Sequence, residues 1–247
     1  MTARKLTPAL TRALTICLLF TIAPLTTWAQ DDGGETEYVT VRLHTVLPGQ
    51  NAAWESLMKE RRDAEEAAGR SFRRVFERIR GSGNGYLILH PDLDMGTTDV
   101  VPDISPTWGE RLDSTVASST VLTLQTYPEI TANLDEWLKN DTDMLRVRLR
   151  TTAPGNRQAY HDWQAKELAP AIKKDGGILR GGRIILGGNS NTWVRMYIVK
   201  DWAQLSASGS NDTNTEFQKM IARGDAITTT KENYLFQYRA DLSFRNE

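Results

Sequence analysis

Cysteine is almost absent from this sequence, because Cys17 is the only one in 247 residues. Cys17 lies in an N-terminal segment with the pattern of an export signal, so the exported protein would contain no thiol. A chain without thiols has no disulfide, no cysteine nucleophile and no thiolate metal site. Its roughly 215 residues must therefore hold their fold by burying apolar side chains.

The export signal is predicted over residues 1–29. Arg4, Lys5 and Arg12 form a basic start, an apolar run follows over 14–22, and Ala29 supplies a small residue at the cleavage point. The apolar run is too short for a resident membrane helix. We therefore expect cleavage near Ala29 and a periplasmic or secreted protein.

An excess of charge of either sign is also missing. The whole chain has a formal net charge of −1, and removal of residues 1–29 leaves 27 basic and 31 acidic residues. A near-neutral, slightly acidic chain lacks the excess of basic charge that binds nucleic acid or an anionic membrane surface. We expect a small-molecule ligand rather than either of those partners.

The common catalytic and cofactor motifs do not occur. The sequence contains no GxxxxGK[ST], GxSxG, CxxC or HExxH pattern, and its three histidines lack metal-ligand spacing. We therefore expect no metal and no cofactor, with haem kept as a remaining alternative.

The feature that is present is an internal repeat. Residues 41–50 read VRLHTVLPGQ and residues 147–156 read VRLRTTAPGN, with six identical positions in ten. A repeat that returns after about 106 residues indicates a duplicated domain. We predict a first repeat over 36–133, a linker over 134–143 and a second repeat over 144–247.

Each repeat has the same predicted order of elements. Residues 38–46 alternate apolar and polar side chains, as a half-buried strand does, and 50–68 have helical spacing and end at Gly69. The order strand, helix, strand, strand, helix, strand follows, which is the ferredoxin-like unit. The further elements are predicted at 72–80, 86–90, 107–117, 119–127, 144–152, 157–173, 178–186, 192–199, 215–223 and 233–243.

This pattern resembles the dimeric α/β-barrel superfamily, including the antibiotic-biosynthesis monooxygenase-like and NIPSNAP-like domains. The resemblance covers residues 36–247 and includes the Pro-Gly turn after each first strand and the closing turns Pro128–Ile130 and Ala240–Leu242. It implies an α+β fold in which two tandem ferredoxin-like (βαββαβ) repeats pack sheet-to-sheet as an intramolecular α/β barrel. It also implies a pseudo-dimer within one chain, without fixing further oligomerisation.

The candidate site follows from which strand face the helices cover. If they cover Val39, Val41 and Leu43, the alternate side chains face the space between the two sheets. Guanidinium groups beside aromatic rings suit a planar acid or another oxyanion. The predicted ligand-binding residues are Arg42, Arg148, Arg150, Arg195, Tyr86, Trp193 and Tyr197, and the predicted proton-transfer residues are His44 and His90.

Two interpretations stay open at this stage. In the first, the exported protein binds a small anionic or aromatic organic ligand between its sheets, with or without cofactor-independent oxygenase-like activity. In the second, the protein is a non-catalytic structural or interaction protein of the cell envelope. Its arginines would then pair with Glu77, Glu129 or Asp241 in a structural network. A one-residue slip of register would also reverse every predicted facing.

Overall fold

The computed structural model describes residues 38–70, 72–81, 84–91, 103–133, 144–205 and 215–245. Strand, helix, strand, strand, helix and strand follow one another twice within these residues. The strands are β1 (Tyr38–Val46), β2 (Phe72–Arg80), β3 (Gly85–Pro91), β4 (Val116–Thr126), β5 (Met144–Thr152), β6 (Ile178–Leu186), β7 (Thr192–Val199), β8 (Thr228–Tyr238) and the short β9 (Phe244–Arg245). The helices are α1 (Asn51–Ala67), α2 (Trp108–Asp113), α3 (Arg157–Trp163), α4 (Ala169–Lys174) and α5 (Thr215–Ala226), and a π-helical turn (Gln164–Leu168) joins α3 to α4.

Eight strands close into one antiparallel barrel. Their order is β3-β1-β4-β6-β7-β5-β8-β2, and β2 pairs again with β3. We call β1–β4 with α1 and α2 the first half, and β5–β8 with α3, α4 and α5 the second half. The halves meet at their edges, because β4 pairs with β6 and β2 pairs with β8. The expected barrel is therefore present, but the two sheets are joined by backbone hydrogen bonds at their edges.

The barrel interior is apolar, which reverses the predicted facing of the strands. Val39 and Val41 of β1 lie in the core cluster that the strands of both halves share, and Leu43 packs against it. Side chains alternate along a strand, so Arg42 and His44 lie on the outer face. The pattern predicted the two faces correctly, but the core-forming face is turned toward the other half rather than toward the helices.

The helices cover the outer face of the barrel in each half. In the first half, Trp54, Leu57 and Met58 of α1 pack on Val75 and Ile88. In the second half, side chains of α3, the π-helical turn and α5 pack on Leu179 of β6 and Trp193 of β7; they include Tyr160, Trp163, Leu168 and Met220. Strands β3, β6 and β7 are thus buried on both sides over most of their length, whereas the first halves of β4 and β8 are largely exposed.

The second helix and last strand of each half differ from the predicted bounds. Helix α2 ends at Asp113 and β4 already begins at Val116, because Val116 pairs with Val46 at the end of β1. Likewise β8 begins at Thr228, which pairs with Thr152. β-Branched threonines suit an extended backbone. The predicted signal over 1–29 and the predicted linker over 134–143 lie outside the described residues.

Candidate functional site

The predicted site residues fall into two groups on the outer face of the barrel. Arg42, His44, Tyr86 and His90 lie beneath α1 in the first half. The second group lies beneath α3 and the π-helical turn in the second half; it consists of Arg148, Arg150, Trp193, Arg195 and Tyr197. The structure therefore brings together the members of each group but not the two groups.

The space between the sheets, where the ligand was expected, is apolar. A small cavity there has about 20 Å³ that water could occupy, enough for roughly one water molecule. Its walls are apolar side chains and the ring of Tyr234; they come from Val41, Leu43, Leu87, Leu122, Val147, Leu149, Val194, Met196, Tyr234 and Phe236. An anion would find no donor in this cavity, so the predicted position of the ligand is wrong.

In the first-half group, His44 and Tyr86 are hydrogen-bonded to side chains of α1. The indole Nε1 of Trp54 donates a hydrogen bond to His44 Nδ1 at 3.0 Å, and Tyr86 donates its hydroxyl hydrogen to Glu55 at 2.9 Å. The ring of Tyr86 stacks on Trp54 with centroids 3.8 Å apart. These contacts are those of a packed core in which the polar atoms of His44 and Tyr86 have partners.

Neither predicted proton-transfer histidine titrates near neutral pH. Burial, reinforced by Arg42, lowers the pKa of His44 to about 4. Burial lowers the pKa of His90 to about 3, although Glu65 acts in the opposite direction. Both side chains are neutral at pH 7, so the geometry does not favour the proposed shuttle role.

A buried carboxylate neutralises part of the first-half charge. Glu65 of α1 has no exposed surface and lies 3.2 Å from Arg73, which is 1% exposed. Arg61 donates a hydrogen bond to the same carboxylate at 2.7 Å. Burial and the nearby Arg61 lower the pKa of Arg42, on the same outer face.

In the second half, buried donors lack acceptors. We call Arg146, Arg148, Tyr160, Gln164, Arg195 and Tyr197 the donor cluster. Arg195 is 1% exposed, yet no described residue accepts a hydrogen bond from its guanidinium, and its Nε and Nη1 are fully buried. The guanidinium instead lies between the rings of Trp163 and Tyr160, with its carbon 5.3 and 5.9 Å from their centroids. A buried charge without a hydrogen-bond partner is costly.

Other donors of the donor cluster also lack hydrogen-bond acceptors. Gln164 Nε2 and the hydroxyl groups of Tyr160 and Tyr197 are buried without a partner. Arg148 lies over the Tyr197 ring at 5.3 Å, and its Nε is also unpartnered. Burial and neighbouring Arg148 lower the pKa of Arg146 to about 10. Burial raises the pKa of Tyr160 to about 12, so its phenol keeps its proton.

Arg150 differs from Arg148 and Arg195 because both of its terminal nitrogens donate hydrogen bonds. Its guanidinium donates to the backbone carbonyls of Leu149 and Glu232, each at 2.9 Å, and to the side chain of Asn233. Its Nε lies 3.6 Å from Asp225, a carboxylate that Lys231 also contacts. Arg150 is thus a structural residue in this arrangement, although the sequence placed it in the ligand site.

The carboxylates considered as alternative partners bind elsewhere. Glu77 and Asp241 accept hydrogen bonds from Arg239, and Glu129 lies 2.8 Å from His161. None of the three contacts the donor cluster among the described residues. The predicted network between these carboxylates and the arginines of the candidate site is therefore not formed among the described residues. Glu77 and Asp241 instead pair with Arg239, and Arg148 and Arg195 have no acidic partner there.

The equivalent contact between strands and helices in the first half is a packed apolar core. Arg42 lies opposite Ile88 across β1 and β3, whereas Arg148 lies opposite Arg195 across β5 and β7. Ile88 packs with apolar side chains of α1, including Met58. The second half therefore has a charged, unpaired residue at a position that is apolar in the first.

The helices that cover the two halves differ in the same way, because polar side chains of the second half replace apolar ones of the first. Tyr160 and Gln164 follow Pro154 at the spacing at which Trp54 and Met58 follow Pro48. The sequence analysis selected neither Tyr160 nor Gln164 as a ligand-binding residue. The available signal was a glutamine four residues after Tyr160, on a helix face that is otherwise apolar.

The comparisons with solved structures concern the fold. The chain is similar to a candidate monooxygenase from Lactobacillus acidophilus NCFM, with 11% identity, a TM-score of 0.60, and coverage of 85% of this chain and 97% of that one. A candidate monooxygenase from Fusobacterium nucleatum has 12% identity, a TM-score of 0.59, and coverage of 82% and 92%. An anthrone oxidase-like protein has 11% identity, a TM-score of 0.55, and coverage of 85% and 93%. The likeness is one of fold.

These three structures share the barrel fold of this protein. No protein-family model matches the chain, and no curated protein is significantly similar to it. Within the described residues no helix is long and apolar enough to cross a membrane. In the same part of the chain no group of three or more His, Cys, Asp or Glu side chains is placed to hold a metal ion.

Proposed function

We propose that this protein binds a small anionic organic ligand at the donor cluster of its second half. The observation that carries the proposal is Arg195, a buried guanidinium with no acceptor among the described residues. Each unsatisfied buried donor costs on the order of 1–3 kcal/mol. An oxyanion would supply the missing acceptors, and the surrounding rings suit an organic body.

The proposal includes the origin and location of the protein. Its halves are tandem ferredoxin-like repeats fused in one chain, since the sequence repeat and the order of elements both recur. The N-terminal signal pattern supports export to the periplasm or beyond the cell. Detection of mature protein that begins near residue 30 in the periplasmic or culture fraction tests the export; uncleaved protein in the cytosol would contradict it.

Ligand binding is tested by thermal unfolding of the wild-type protein with benzoate, acetate and phosphate at constant ionic strength. An anion at about 100 times its Kd stabilises a protein by about 2.7 kcal/mol, which raises Tm by roughly 5–10 °C at this size. Arg195→Met should lose this rise and, without ligand, be at least as stable as wild type, because a similarly long apolar side chain replaces an unpaired charge.

The matched control is Arg111→Met, which removes one positive charge from an exposed ion pair with Glu60. It should keep the full anion-induced rise. An equal rise in Arg195→Met, or none with any anion in wild type, would refute the proposal. The rival hypothesis, a non-catalytic structural protein whose donors bind only water, predicts the second of these results.

Oxygenase-like turnover without a cofactor is a further part of the proposal. Support comes from the shared fold with the candidate monooxygenases and from a buried phenol and guanidinium beside the proposed ligand. Oxygen uptake with a hydroquinone as substrate tests it, with Arg195→Met as the comparison. Haem is tested separately by adding hemin, and the absence of a saturable Soret change would dismiss it.

A further inference from the structure

The residues of the donor cluster are divided between two positions. The inner anion position consists of Arg195, Gln164 and Tyr160, where Arg195 is 1% exposed. The outer anion position consists of Arg146, Arg148 and Tyr197, whose two arginines are only partly buried. The positions are adjacent, because Arg148 is the direct cross-strand neighbour of Arg195 and Arg146 is that of Tyr197.

The positions point in different directions. Arg195 extends toward the helix layer, where its guanidinium carbon lies 5.3 Å from the Trp163 ring. Arg148 instead lies over the ring of Tyr197, 5.3 Å from its centroid. The two guanidiniums therefore lie against different rings, so each position offers its own donors to an anionic group.

The charges of the two positions are not balanced by the protein. Arg146, Arg148 and Arg195 carry three positive charges and have no ion-pair partner among the described residues. The neighbouring carboxylate, Asp225, is shared by Arg150 and Lys231. The first half also contains buried positive charge, but there the buried carboxylate of Glu65 forms ion pairs with Arg61 and Arg73.

We propose that the ligand is a diacid, with one carboxylate at the inner anion position and the other at the outer one. The three unpaired guanidiniums are divided between a buried and a partly exposed position. Two separated negative groups on one ligand would pair with both positions. The body of the ligand lies between them against the rings of Trp163 and Tyr197. This inference rests on the proposed function, because it specifies the ligand of the same donor cluster.

Pairs of acids with the same carbon skeleton test the inference by calorimetric titration. The pairs are adipate with hexanoate, and terephthalate with benzoate, each measured at constant ionic strength. In at least one pair the wild-type protein should bind the diacid ten times or more as tightly as the monoacid. Equal affinities within both pairs would overturn the inference while leaving anion binding in place.

Variants separate the two positions. Arg146→Met with Arg148→Met should weaken diacid binding to the level of the monoacid and change monoacid affinity less than about threefold. Arg195→Met should abolish binding of both acids, and Arg111→Met should change neither. If the double variant does not fold, Arg146→Met alone should still narrow the gap between diacid and monoacid. If a folded variant of the outer anion position keeps the wild-type ratio of diacid to monoacid affinity, the inference is contradicted. If the wild-type protein binds none of these acids, both the inference and the proposed function are refuted.

Discussion

At the scale of single residues, polar groups in the outer layer fall into satisfied and unsatisfied sets. His44 accepts a hydrogen bond from Trp54, and Glu65 pairs with Arg73 inside the first half. Arg195 has no equivalent partner in the second half. Residue type alone does not separate these cases, since arginines occur in both halves. The partner decides whether a buried polar side chain supports the fold or is available to a ligand.

The buried histidines predict a loss of stability in mild acid. The pKa values of His44 and His90 in the native protein are about 4 and about 3, below the ordinary value of 6.5. Below pH 6.5 the unfolded chain binds protons that the native protein does not, so the free energy of unfolding falls as pH is lowered toward 4. Each histidine contributes a slope of up to about 1.4 kcal/mol per pH unit.

Urea unfolding at pH 7, 6, 5 and 4.5 measures this slope. His44→Asn keeps an acceptor near the position of Nδ1 for Trp54 and should remove about half of the slope. Adding His90→Gln should remove most of the rest. A free energy of unfolding that stays constant between pH 6.5 and 4.5 in wild type would show that the histidines are not held neutral.

At the scale of elements, helix α5 and the π-helical turn shape the second-half site. Trp163 donates its indole hydrogen to the Met220 carbonyl at 3.0 Å, which fixes the indole against α5. Gly224 makes this approach possible, because a Cβ there would lie 2.4 Å from the Trp163 ring. The π-helical turn begins at Gln164, and such turns are frequent at functional sites. These contacts thus position Trp163, the residue that precedes the unpartnered Gln164.

Gly224→Ala should therefore destabilise the protein, by about 1–2 kcal/mol. Replacing glycine by alanine within a helix normally gains up to about 1 kcal/mol, but here the added methyl group overlaps the indole. Gly109→Ala in α2 is the control, since a Cβ there meets nothing within 4 Å. Chemical denaturation should show Gly109→Ala neutral or stabilising. A similar gain for Gly224→Ala would contradict the packing of Trp163 on α5.

At the scale of the whole molecule, the two halves share one hydrophobic core. Leu122 and Leu124 of the first half lie in the same interior cluster as Val147 and Met196 of the second. The barrel is closed by backbone pairing between halves at β4–β6 and β2–β8. Neither half can bury its interior face without the other, so the described halves form one cooperative unit.

Calorimetry should accordingly show one unfolding transition, with equal calorimetric and van't Hoff enthalpies. Leu124→Ala, at a fully buried position of β4, should lower the free energy of unfolding by about 2–5 kcal/mol. The transition should move as a whole, and fluorescence of the second-half tryptophans should shift with it. Two resolved transitions, of which Leu124→Ala moves only one, would show that the halves unfold independently.

The sequence by itself determined the two faces of each first strand and the order of elements. Alternation in 38–46 and 144–152 fixes which side chains share a face, and the recurring VRL and Pro-Gly positions place both halves in register. These properties are local, because strand geometry and turn residues depend on neighbours in the chain. The arginines and aromatic residues of the second half were found for that reason.

Only the tertiary structure decided which face became the barrel interior and which arginines lack partners. Either face of a half-buried strand can meet a helix, and alternation does not distinguish the two directions. Edge pairing of the halves turned Val39 and Val41 inward, which moved Arg42 and Arg148 beneath the helices. Arg150 and Arg195 look alike in sequence, but Asp225 and Asn233 reach only the former. The partners of these arginines are far from them in the sequence, so only the folded barrel shows which arginines are paired.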